Sequence, residues 1–216
     1  EEYWTASVTL HETGMTAKFT ADVIKKADKK LAIHNKTQAN KVMKELAAAS
    51  YGVLDSKVTE KLRRPSAPLT TSSLQQEAVK KLNFTTKKTM MVAQQLYEGV
   101  NVGRAGTVGL ITYMRTDSVH LANSALAEIR TFIEKEYGAN YVPKNANLFS
   151  SKKNAQEAHE AIRPTSVLRT PSSIASHLSK DQLKLYTLIW NRTVGSQMAN
   201  AVAEMTTLDI KGGDYQ

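Results

Sequence analysis

A tyrosine, an arginine and an aspartate alternate along one short stretch of this 216-residue chain. They are Tyr113, Arg115 and Asp117, within the decapeptide Gly-Leu-Ile-Thr-Tyr-Met-Arg-Thr-Asp-Ser at residues 109–118. Side chains two apart share a face in an extended segment, so these three groups are expected to project together. The set places a hydroxyl nucleophile beside a guanidinium and a carboxylate. A strand in which the tyrosine packs and the arginine aids solubility gives the same pattern.

A second group of polar side chains occurs in Ala-Gln-Glu-Ala-His-Glu-Ala-Ile-Arg-Pro-Thr, residues 155–165. The composition favours a helix that ends before Pro164. On such a helix Gln156, His159 and Arg163 share one face, where they would meet a phosphate together. The segment departs from the zinc-protease pattern His-Glu-x-x-His at its last position, which excludes that kind of zinc site. A surface histidine without a catalytic role is the alternative.

Basic side chains flank this second segment. Lys152, Lys153 and Arg169 could hold a nucleic-acid backbone without reading its sequence, and a solvated basic rim is an equal alternative. The whole chain carries 29 Lys plus Arg against 20 Asp plus Glu, a net charge of +9. This charge favours a polyanionic partner such as nucleic acid, but it does not distinguish binding from a solvated cationic face.

The composition is that of a soluble globular protein. Hydrophobic residues make up 41% and charged residues 23%, and no apolar run approaches the ~18 residues of a membrane span. The chain has no cysteine, which excludes disulfides, thiolate catalysis and cysteine-ligated zinc. We find no signal peptide and expect a cytoplasmic protein without a membrane partner.

The elements that must position these side chains begin with strand patterns. Residues 4–11 and 15–23 alternate around a turn signal, which predicts a hairpin. A helix is predicted over 37–49 and an extended segment over 51–62. The Pro-marked connection at 63–68 precedes mainly helical patterns, so we place a domain boundary there.

Helix signals dominate the rest of the chain. A capping box of Ser72 with Gln75 predicts a helix to about residue 82, and Thr85 or Thr86 begins another that ends near Gly99. A further helix is predicted over 123–137. A capping box of Ser179 with Gln182 opens the longest helix, which reaches Ala201. Residues 206–211 form a strand that must pair with the earlier sheet.

These patterns predict an α+β fold in which a mainly helical domain is inserted into a strand-rich domain made by both chain ends. The strand-rich domain is predicted over 1–67 and 202–216, and the helical domain with Tyr113 over 68–201. The glycine-rich run 99–109 lacks the Gly-Lys-Ser/Thr ending of a phosphate-binding P-loop. We expect it to be a flexible loop that lets the tyrosine segment move.

The sequence resembles bacterial type IA DNA topoisomerases in several blocks that occur in the family's order. The blocks are residues 68–78, 93–99, 109–118 and 155–165, and the remaining residues are compatible with the family without being diagnostic. The resemblance implies that the strand-rich part is an incomplete arch, or gate, domain. It also implies that the helical domain is winged-helix-like.

The resemblance implies that Tyr113 attacks a backbone phosphorus of single-stranded DNA, forming a 5′-phosphotyrosine link and releasing a 3′-hydroxyl without ATP. A free phenol has a pKa near 10, so only about one molecule in a thousand is ionised at neutral pH, a deficit of roughly 4 kcal/mol. Arg115 can offset this deficit by stabilising phenolate and phosphoryl charge, and Asp117 can orient Arg115. The resemblance places His159 at the phosphate near the scissile bond, as a candidate proton relay.

The resemblance also implies parts that this sequence lacks. Family members hold Mg²⁺ through carboxylates of a Toprim domain, and no such acidic triplet occurs here, so we expect no metal ligand in this chain. The expected partners are single-stranded DNA, negatively supercoiled duplex DNA and the remaining domains of the same enzyme. We expect a fragment of a longer, nucleoid-associated enzyme that does not relax DNA alone.

Two other functional classes stay open at this point. One is a non-catalytic, winged-helix-like module that binds DNA without covalent chemistry. The other is a structural or interaction domain whose basic charge is incidental. Covalent trapping of DNA separates the first from an enzyme, and the salt dependence of oligonucleotide binding tests the second.

Overall fold

The architecture comes from a computed structural model that describes residues 3–150 and 159–216. The chain divides into two compact units, which are Glu1–Lys61 with Ala203–Gln216 and Leu62–Val202. Each unit contains both helices and strands, so the predicted α+β class is confirmed. The assignment of the two parts to an arch domain and a winged-helix-like domain stays a prediction.

The first unit begins with the predicted hairpin. β1 (Ser7–His11) pairs with antiparallel β2 (Lys18–Asp22). In the connection the Met15 N–H donates to the Glu12 carbonyl at 3.0 Å. Gly14 has a φ of +87°, a conformation that glycine adopts without steric cost. The turn signal in the sequence therefore marks the connection correctly.

A second hairpin follows directly, and the sequence did not predict it. β3 (Lys25–Lys26) pairs with antiparallel β4 (Lys29–Lys30). Its turn residues Ala27 and Asp28 have φ values of 47° and 63°, as the tight turns that match the strand twist require. Neither turn residue is the usual glycine, which explains why the pattern was missed.

Helix α1 (Lys36–Ala47) supplies the apolar stripe of the first unit. It begins after Asn35, whose side chain accepts a hydrogen bond from the Gln38 N–H at 2.9 Å. The helix ends at Ala47, two residues before the end of the predicted helix at residue 49. Strand β5 (Tyr51–Arg63) follows it. A small core unites buried residues of this unit, which are Ile33, Ala39, Val42, Leu46 and Tyr215.

The second unit is mainly helical. Its regular elements are α2 (Thr71–Leu82), α3 (Thr86–Glu98), β6 (Val100–Asn101), β7 (Thr107–Val108), α4 (Asn123–Tyr137), α5 (Pro171–Ile174) and α6 (Lys180–Ser196). Short 3₁₀ turns lie at Gly103–Ala105, Ala139–Tyr141 and Ala175–His177. Helix α6 is the longest in the described part of the chain, as predicted.

The capping residues explain where two of these helices begin. The capping box of Ser179 with Gln182 is confirmed. For α2 the predicted box of Ser72 with Gln75 is wrong, because the box is formed by Thr70 and Ser73. The backbone N–H of Thr71, the first residue of α2, donates to the Thr116 carbonyl at 2.9 Å, so a tertiary contact sets the start of this helix.

The glycine-rich run forms a short hairpin instead of the predicted flexible loop. β6 pairs with antiparallel β7, and the Val102 N–H donates to the Gly106 carbonyl at 3.0 Å. Gly103 and Gly106 have φ values of +78° and +70°, which side chains rarely adopt. The glycines therefore shape a defined turn directly before the tyrosine segment.

The last strand begins earlier than predicted. Helix α6 ends at Ser196, and β8 (Ala201–Gly212) takes Ala201, which was predicted to be helical. The buried Gln197 side chain explains the end of the helix, because its Nε2 donates to the Asn147 carbonyl at 3.0 Å. Strand β8 pairs with β5 in a two-stranded sheet, so the terminal strand pairs with an earlier strand, as predicted, but among the described residues it does not extend a larger sheet.

The first unit is expected to lose stability at both extremes of pH. Its Lys26 donates to Glu45 and, at 2.9 Å, to the Tyr215 hydroxyl, which also donates to Glu45. The hydrogen bond from Lys26 lowers the Glu45 pKa below its ordinary 4.5, so this stabilisation disappears as acid protonates the carboxylate. The hydrogen bond to Glu45 raises the pKa of Lys26, and burial raises the pKa of Tyr215. Both groups therefore contribute fully to the stability of the first unit below pH 10, and this contribution is lost as they are deprotonated in stronger base.

The loss of stability in acid is tested by thermal unfolding, followed by circular dichroism between pH 3 and pH 7, roughly the range that titrates a carboxylate. Glu45→Gln is expected to flatten the fall in melting temperature with acid, because the substitution removes the titrating group. Glu60→Gln is the matched control, since Glu60 is an exposed residue of β5. If the melting temperature falls with acid equally in the wild type and in Glu45→Gln, protonation of Glu45 is not the cause of the loss.

Candidate active site

The tyrosine segment lies between β7 and α4 as irregular chain with bends at Thr112 and Met114. Side-chain exposure alternates along it: Tyr113, Arg115 and Asp117 are exposed, and the residues between and after them are buried, namely Met114, Thr116 and Ser118. The Tyr113 side chain is 49% exposed. The three predicted side chains therefore lie on the solvent side of the segment, although the catalytic roles assigned to them stay predictions.

Hydrogen bonds fix the backbone before Tyr113. The Leu110 N–H donates to the Leu96 carbonyl of α3 at 2.7 Å. The Thr112 N–H donates to the Arg163 carbonyl at 2.9 Å, and the Thr112 hydroxyl donates to the Ala161 carbonyl at 2.7 Å. The residue adjacent to the tyrosine is thus bonded to the segment that follows His159.

A threonine at the start of α2 fixes the backbone after the tyrosine. The Thr71 hydroxyl donates to the Met114 carbonyl at 2.8 Å and accepts from the Thr116 N–H at 2.9 Å. Met114 is 1% exposed and belongs to the core of this unit. With both sides of Tyr113 anchored, its half-exposed ring projects from a fixed backbone.

The predicted helix over 155–162 is wrong for the part that the structure describes, which begins at His159. Residues 159–165 contain no helix; they form isolated β-bridges at Ile162 and Pro164, and their backbone bonds go to other segments. The Ala161 N–H donates to the His120 carbonyl and the Ile162 N–H to the Leu69 carbonyl, both at 2.8 Å. Ala161 and Ile162 are fully buried, so tertiary pairing outweighs the helical propensity of this stretch.

This correction separates residues that were grouped on one helical face. His159 is exposed at the start of this segment. Gln156, Lys152 and Lys153 lie outside the described residues. The prediction that one phosphate contacts Gln156, His159 and Arg163 assumed a shared helical face. Residues 159–163 form no helix, so this assumption is wrong for His159 and Arg163.

Arg163 faces a carboxylate. Its Nη2 lies 2.9 Å from Glu160 Oε2 and its Nε 3.2 Å from Glu160 Oε1, and Nη1 donates to the Pro164 carbonyl at 3.0 Å. Glu160 Oε1 also accepts from the Ala122 N–H at 2.7 Å, where α4 begins. The arginine and glutamate side chains are only 14% and 28% exposed. Glu160 thus joins the His159 segment to the start of α4, and Arg163 neutralises its carboxylate.

Arg169 supports the other edge of the tyrosine segment. Its Nη1 donates to the Thr165 hydroxyl at 3.3 Å. Thr165 in turn donates to the Gly109 carbonyl through its hydroxyl and to the Leu110 carbonyl through its N–H, at 2.7 and 3.0 Å. A role of Arg169 at a DNA backbone stays a prediction.

Two residues near the predicted site were missed from the sequence. Glu160 is three positions before Arg163, a spacing that signals an ion pair in a helix, but here the pair forms outside any helix. Tyr97 lies in the block 93–99, and its ring contacts that of Tyr113. The spacing of Glu160 and Arg163 was therefore a signal for their pair, whereas the contact of Tyr97 with Tyr113 could not be found from spacing, because it depends on the path of the chain.

The described part of the chain contains no group of three His, Asp or Glu side chains placed to hold a metal ion. The Mg²⁺ that the family resemblance implies therefore has no three-ligand set among these residues. Among the described helices, none has the length and apolarity needed to cross a membrane.

Comparison with known proteins identifies the family. A family model described as DNA topoisomerase matches residues 1–216. DNA topoisomerase 1 of Xylella fastidiosa (strain Temecula1 / ATCC 700964) is 47% identical over an alignment of 220 residues that covers 99% of this chain and 27% of that protein. DNA topoisomerase 1 of Rickettsia typhi is 46% identical over an alignment of 214 residues that covers 97% of this chain and 27% of that protein.

A solved structure agrees with these matches. Full-length topoisomerase I from Thermotoga maritima, in a monoclinic crystal form, superposes with a TM-score of 0.77 at 36% identity. The match covers 99% of this chain and 33% of that one, so the chain spans well under half the length of its relatives. From the family match, the relatives and the shared fold, the chain belongs to the bacterial type IA DNA topoisomerases.

Proposed function

We propose that this chain carries the nucleophile of an enzyme that breaks one DNA strand, passes a strand through the break and rejoins it. The observation that carries the proposal is the exposed Tyr113 ring on a backbone that is hydrogen-bonded on both sides. Membership of the DNA topoisomerase family supports the reaction type.

The proposed reaction exchanges one phosphoester for another. The Tyr113 oxygen attacks a backbone phosphorus, the bond from phosphorus to the 3′ oxygen breaks, and a 5′-phosphotyrosine link forms. The phenol proton leaves, and the departing 3′ oxygen gains a proton to become a hydroxyl. The reverse steps reseal the strand. Because one ester replaces another, the covalent intermediate conserves the bond energy and no ATP is required.

The neighbouring side chains supply charge and proton transfer. Arg115, two residues from the nucleophile and exposed on the same side, stabilises the phenolate and the nonbridging phosphoryl oxygens. Asp117 orients Arg115. His159 is exposed and is proposed to contact the phosphate and relay the proton of the leaving oxygen.

The rest of the proposed machinery lies in the longer enzyme. The chain covers 27% of its relatives in Xylella fastidiosa and Rickettsia typhi, and we propose that Toprim carboxylates outside this sequence hold Mg²⁺. The substrates are single-stranded regions of negatively supercoiled DNA, toward which the net charge of +9 attracts the protein. This chain alone is proposed not to relax a supercoiled plasmid, and the enzyme acts in the cytoplasm at the nucleoid.

Mapping of the covalent link tests the proposal. The full-length enzyme is incubated with Mg²⁺ and a single-stranded oligonucleotide labelled at its 3′ end, then denatured and digested with trypsin and nuclease. Mass spectrometry should find the nucleotide on the peptide of residues 105–115, in which Tyr113 is the one tyrosine. A nucleotide on another residue, or no adduct at all, would remove Tyr113 from this role.

A non-catalytic DNA-binding module is the second candidate, and the charge of +9 is the observation that favours it. Such a module would bind the oligonucleotide with a steep salt dependence and form no adduct in the same reaction. An interaction domain with incidental charge would show neither adduct nor steep dependence.

A further inference from the structure

One aromatic side chain contacts the proposed nucleophile. The ring of Tyr97 lies 5.3 Å from that of Tyr113, centroid to centroid, with an angle of 64° between their planes. Aromatic rings prefer such edge-to-face geometry at separations of about 4.5 to 7 Å. Within residues 3–150 and 159–216, no other ring contact to Tyr113 is present.

Backbone contacts hold the two tyrosines in this arrangement. Tyr97 lies in the last turn of α3, and the Leu110 N–H donates to the preceding carbonyl, that of Leu96, at 2.7 Å. A Cβ atom added to Gly109 would lie only 2.7 Å from the Tyr97 carbonyl oxygen, so a side chain there would force the segments apart. The helix end and the tyrosine segment therefore approach each other at a fixed distance.

The contact involves a ring that is half exposed to solvent. Tyr113 is 49% exposed and Tyr97 40% exposed, so neither ring is locked in the core. An in-line displacement requires the attacking oxygen to lie opposite the leaving oxygen, and a misplaced nucleophile slows the reaction steeply. Any contact that limits the rotamers of Tyr113 therefore affects the reaction rate.

We propose that Tyr97 is a positioning residue whose ring holds the Tyr113 ring in the orientation from which its hydroxyl attacks the phosphorus. The inference rests on the proposed function of Tyr113. It assigns the effect to the ring of Tyr97 and not to its hydroxyl, because the observed contact joins the two rings. Phenylalanine at position 97 should therefore keep the positioning effect, whereas a side chain without a ring should lose it.

The experiment compares variants of the full-length enzyme. Single-turnover cleavage of an oligonucleotide gives the rate of the chemical step, and fluorescence anisotropy of the same oligonucleotide gives its dissociation constant. Tyr97→Leu is expected to slow cleavage by about 3- to 10-fold, because it removes an edge-to-face contact whose energy corresponds to a rate change of that size. Its dissociation constant should stay within about twofold, because positioning acts on the chemical step. Tyr97→Phe should cleave at the wild-type rate.

Tyr137 provides a matched control. It is the last residue of α4, is 45% exposed and makes an edge contact with Phe132 at 6.3 Å. Tyr137→Leu removes a comparable ring from a comparable helix end and should leave cleavage unchanged. Tyr97→Gln, a second ring-free change to a helix-forming residue, should reproduce the loss and covers the case in which an exposed leucine causes aggregation.

Three outcomes would overturn the inference: wild-type cleavage by both Tyr97→Leu and Tyr97→Gln, an equal loss in Tyr97→Phe, or an equal loss in Tyr137→Leu. Tyr113→Phe, measured in parallel, reports on the proposed function. If Tyr113→Phe still cleaves, the nucleophile assignment fails, whatever the Tyr97 variants do. If it does not cleave while Tyr97→Leu and Tyr97→Gln both cleave normally, only the positioning role of Tyr97 fails.

Discussion

Tyr113→Phe is expected to slow covalent capture of DNA by the full-length enzyme by at least about a thousandfold, because the variant lacks the oxygen that forms the bond. Phenylalanine keeps the ring and hence the edge contact with Tyr97. The bonds that fix the segment are made by the hydroxyls of Thr71 and Thr112 and by backbone groups, and the Tyr113 side chain takes part in none of these three. The substitution should therefore leave the fold of this region intact.

Gel separation of denatured protein with 3′-labelled DNA measures the adduct directly. Tyr141→Phe is a suitable control, since Tyr141 is 53% exposed and lies in a 3₁₀ turn after α4. It should give as much adduct as the wild type. A Tyr113→Phe adduct within about tenfold of the wild-type level would place the nucleophile elsewhere.

Local sequence signals predicted much of what surrounds this tyrosine. The alternation of exposed and buried side chains from Tyr113 to Ser118 has the two-residue period predicted for side chains that alternate between two faces, although the buried Thr116 and Ser118 are polar. The box of Ser179 with Gln182 involves residues three apart, and the first hairpin depends on one turn. In each case the residues that interact are neighbours in the sequence, so spacing is informative.

The failures share a different cause. The stretch after His159 has helix-forming residues, but its backbone bonds go to Leu69, Thr112 and His120, which are distant in the sequence. The start of α2 was similarly shifted by a bond from Thr71 to Thr116. Propensity describes what a segment prefers alone, and here tertiary hydrogen bonds and burial override it.

The contact between Tyr97 and Tyr113 illustrates a third situation. Both residues lie in blocks that resemble the family, so each was conspicuous, yet nothing in their spacing indicated that the rings touch. The hairpin of β6 and β7 reverses the chain between them, and Gly109 permits the close approach. Pairing of this kind follows from the path of the chain, which local pattern does not contain.

Arg163→Ala is expected to lower the free energy of unfolding of the Leu62–Val202 unit by about 2 to 3 kcal/mol. The substitution leaves the mostly buried Glu160 carboxylate without its cation, and the Ala122 N–H at 2.7 Å becomes its remaining described partner. The loss of unfolding free energy should lie near the lower limit for breaking a buried ion pair, because 28% of the Glu160 side-chain surface is exposed to solvent. Urea denaturation of this chain measures the change.

Fluorescence of Trp190 isolates the response of this unit, provided that Trp4 is replaced by phenylalanine in every variant. Trp190 belongs to the core that includes Ile162. Arg169→Ala is the matched control and should cost below about 1 kcal/mol, since its side chain makes one hydrogen bond, at 3.3 Å, to Thr165. A double-mutant cycle with Glu160→Ala should then give a coupling energy of about 1 to 2 kcal/mol.

The same variants distinguish an ion pair from the phosphate contact predicted for Arg163. A residue that binds a phosphate contributes about one unit to the slope of log affinity against log salt, and its loss weakens binding without destabilising the fold. If Arg163→Ala unfolds within about 0.5 kcal/mol of the wild type and lowers that slope by about one, the phosphate role is correct and the ion pair is incidental. We expect the reverse, because its three donor nitrogens already have partners in Glu160 and Pro164.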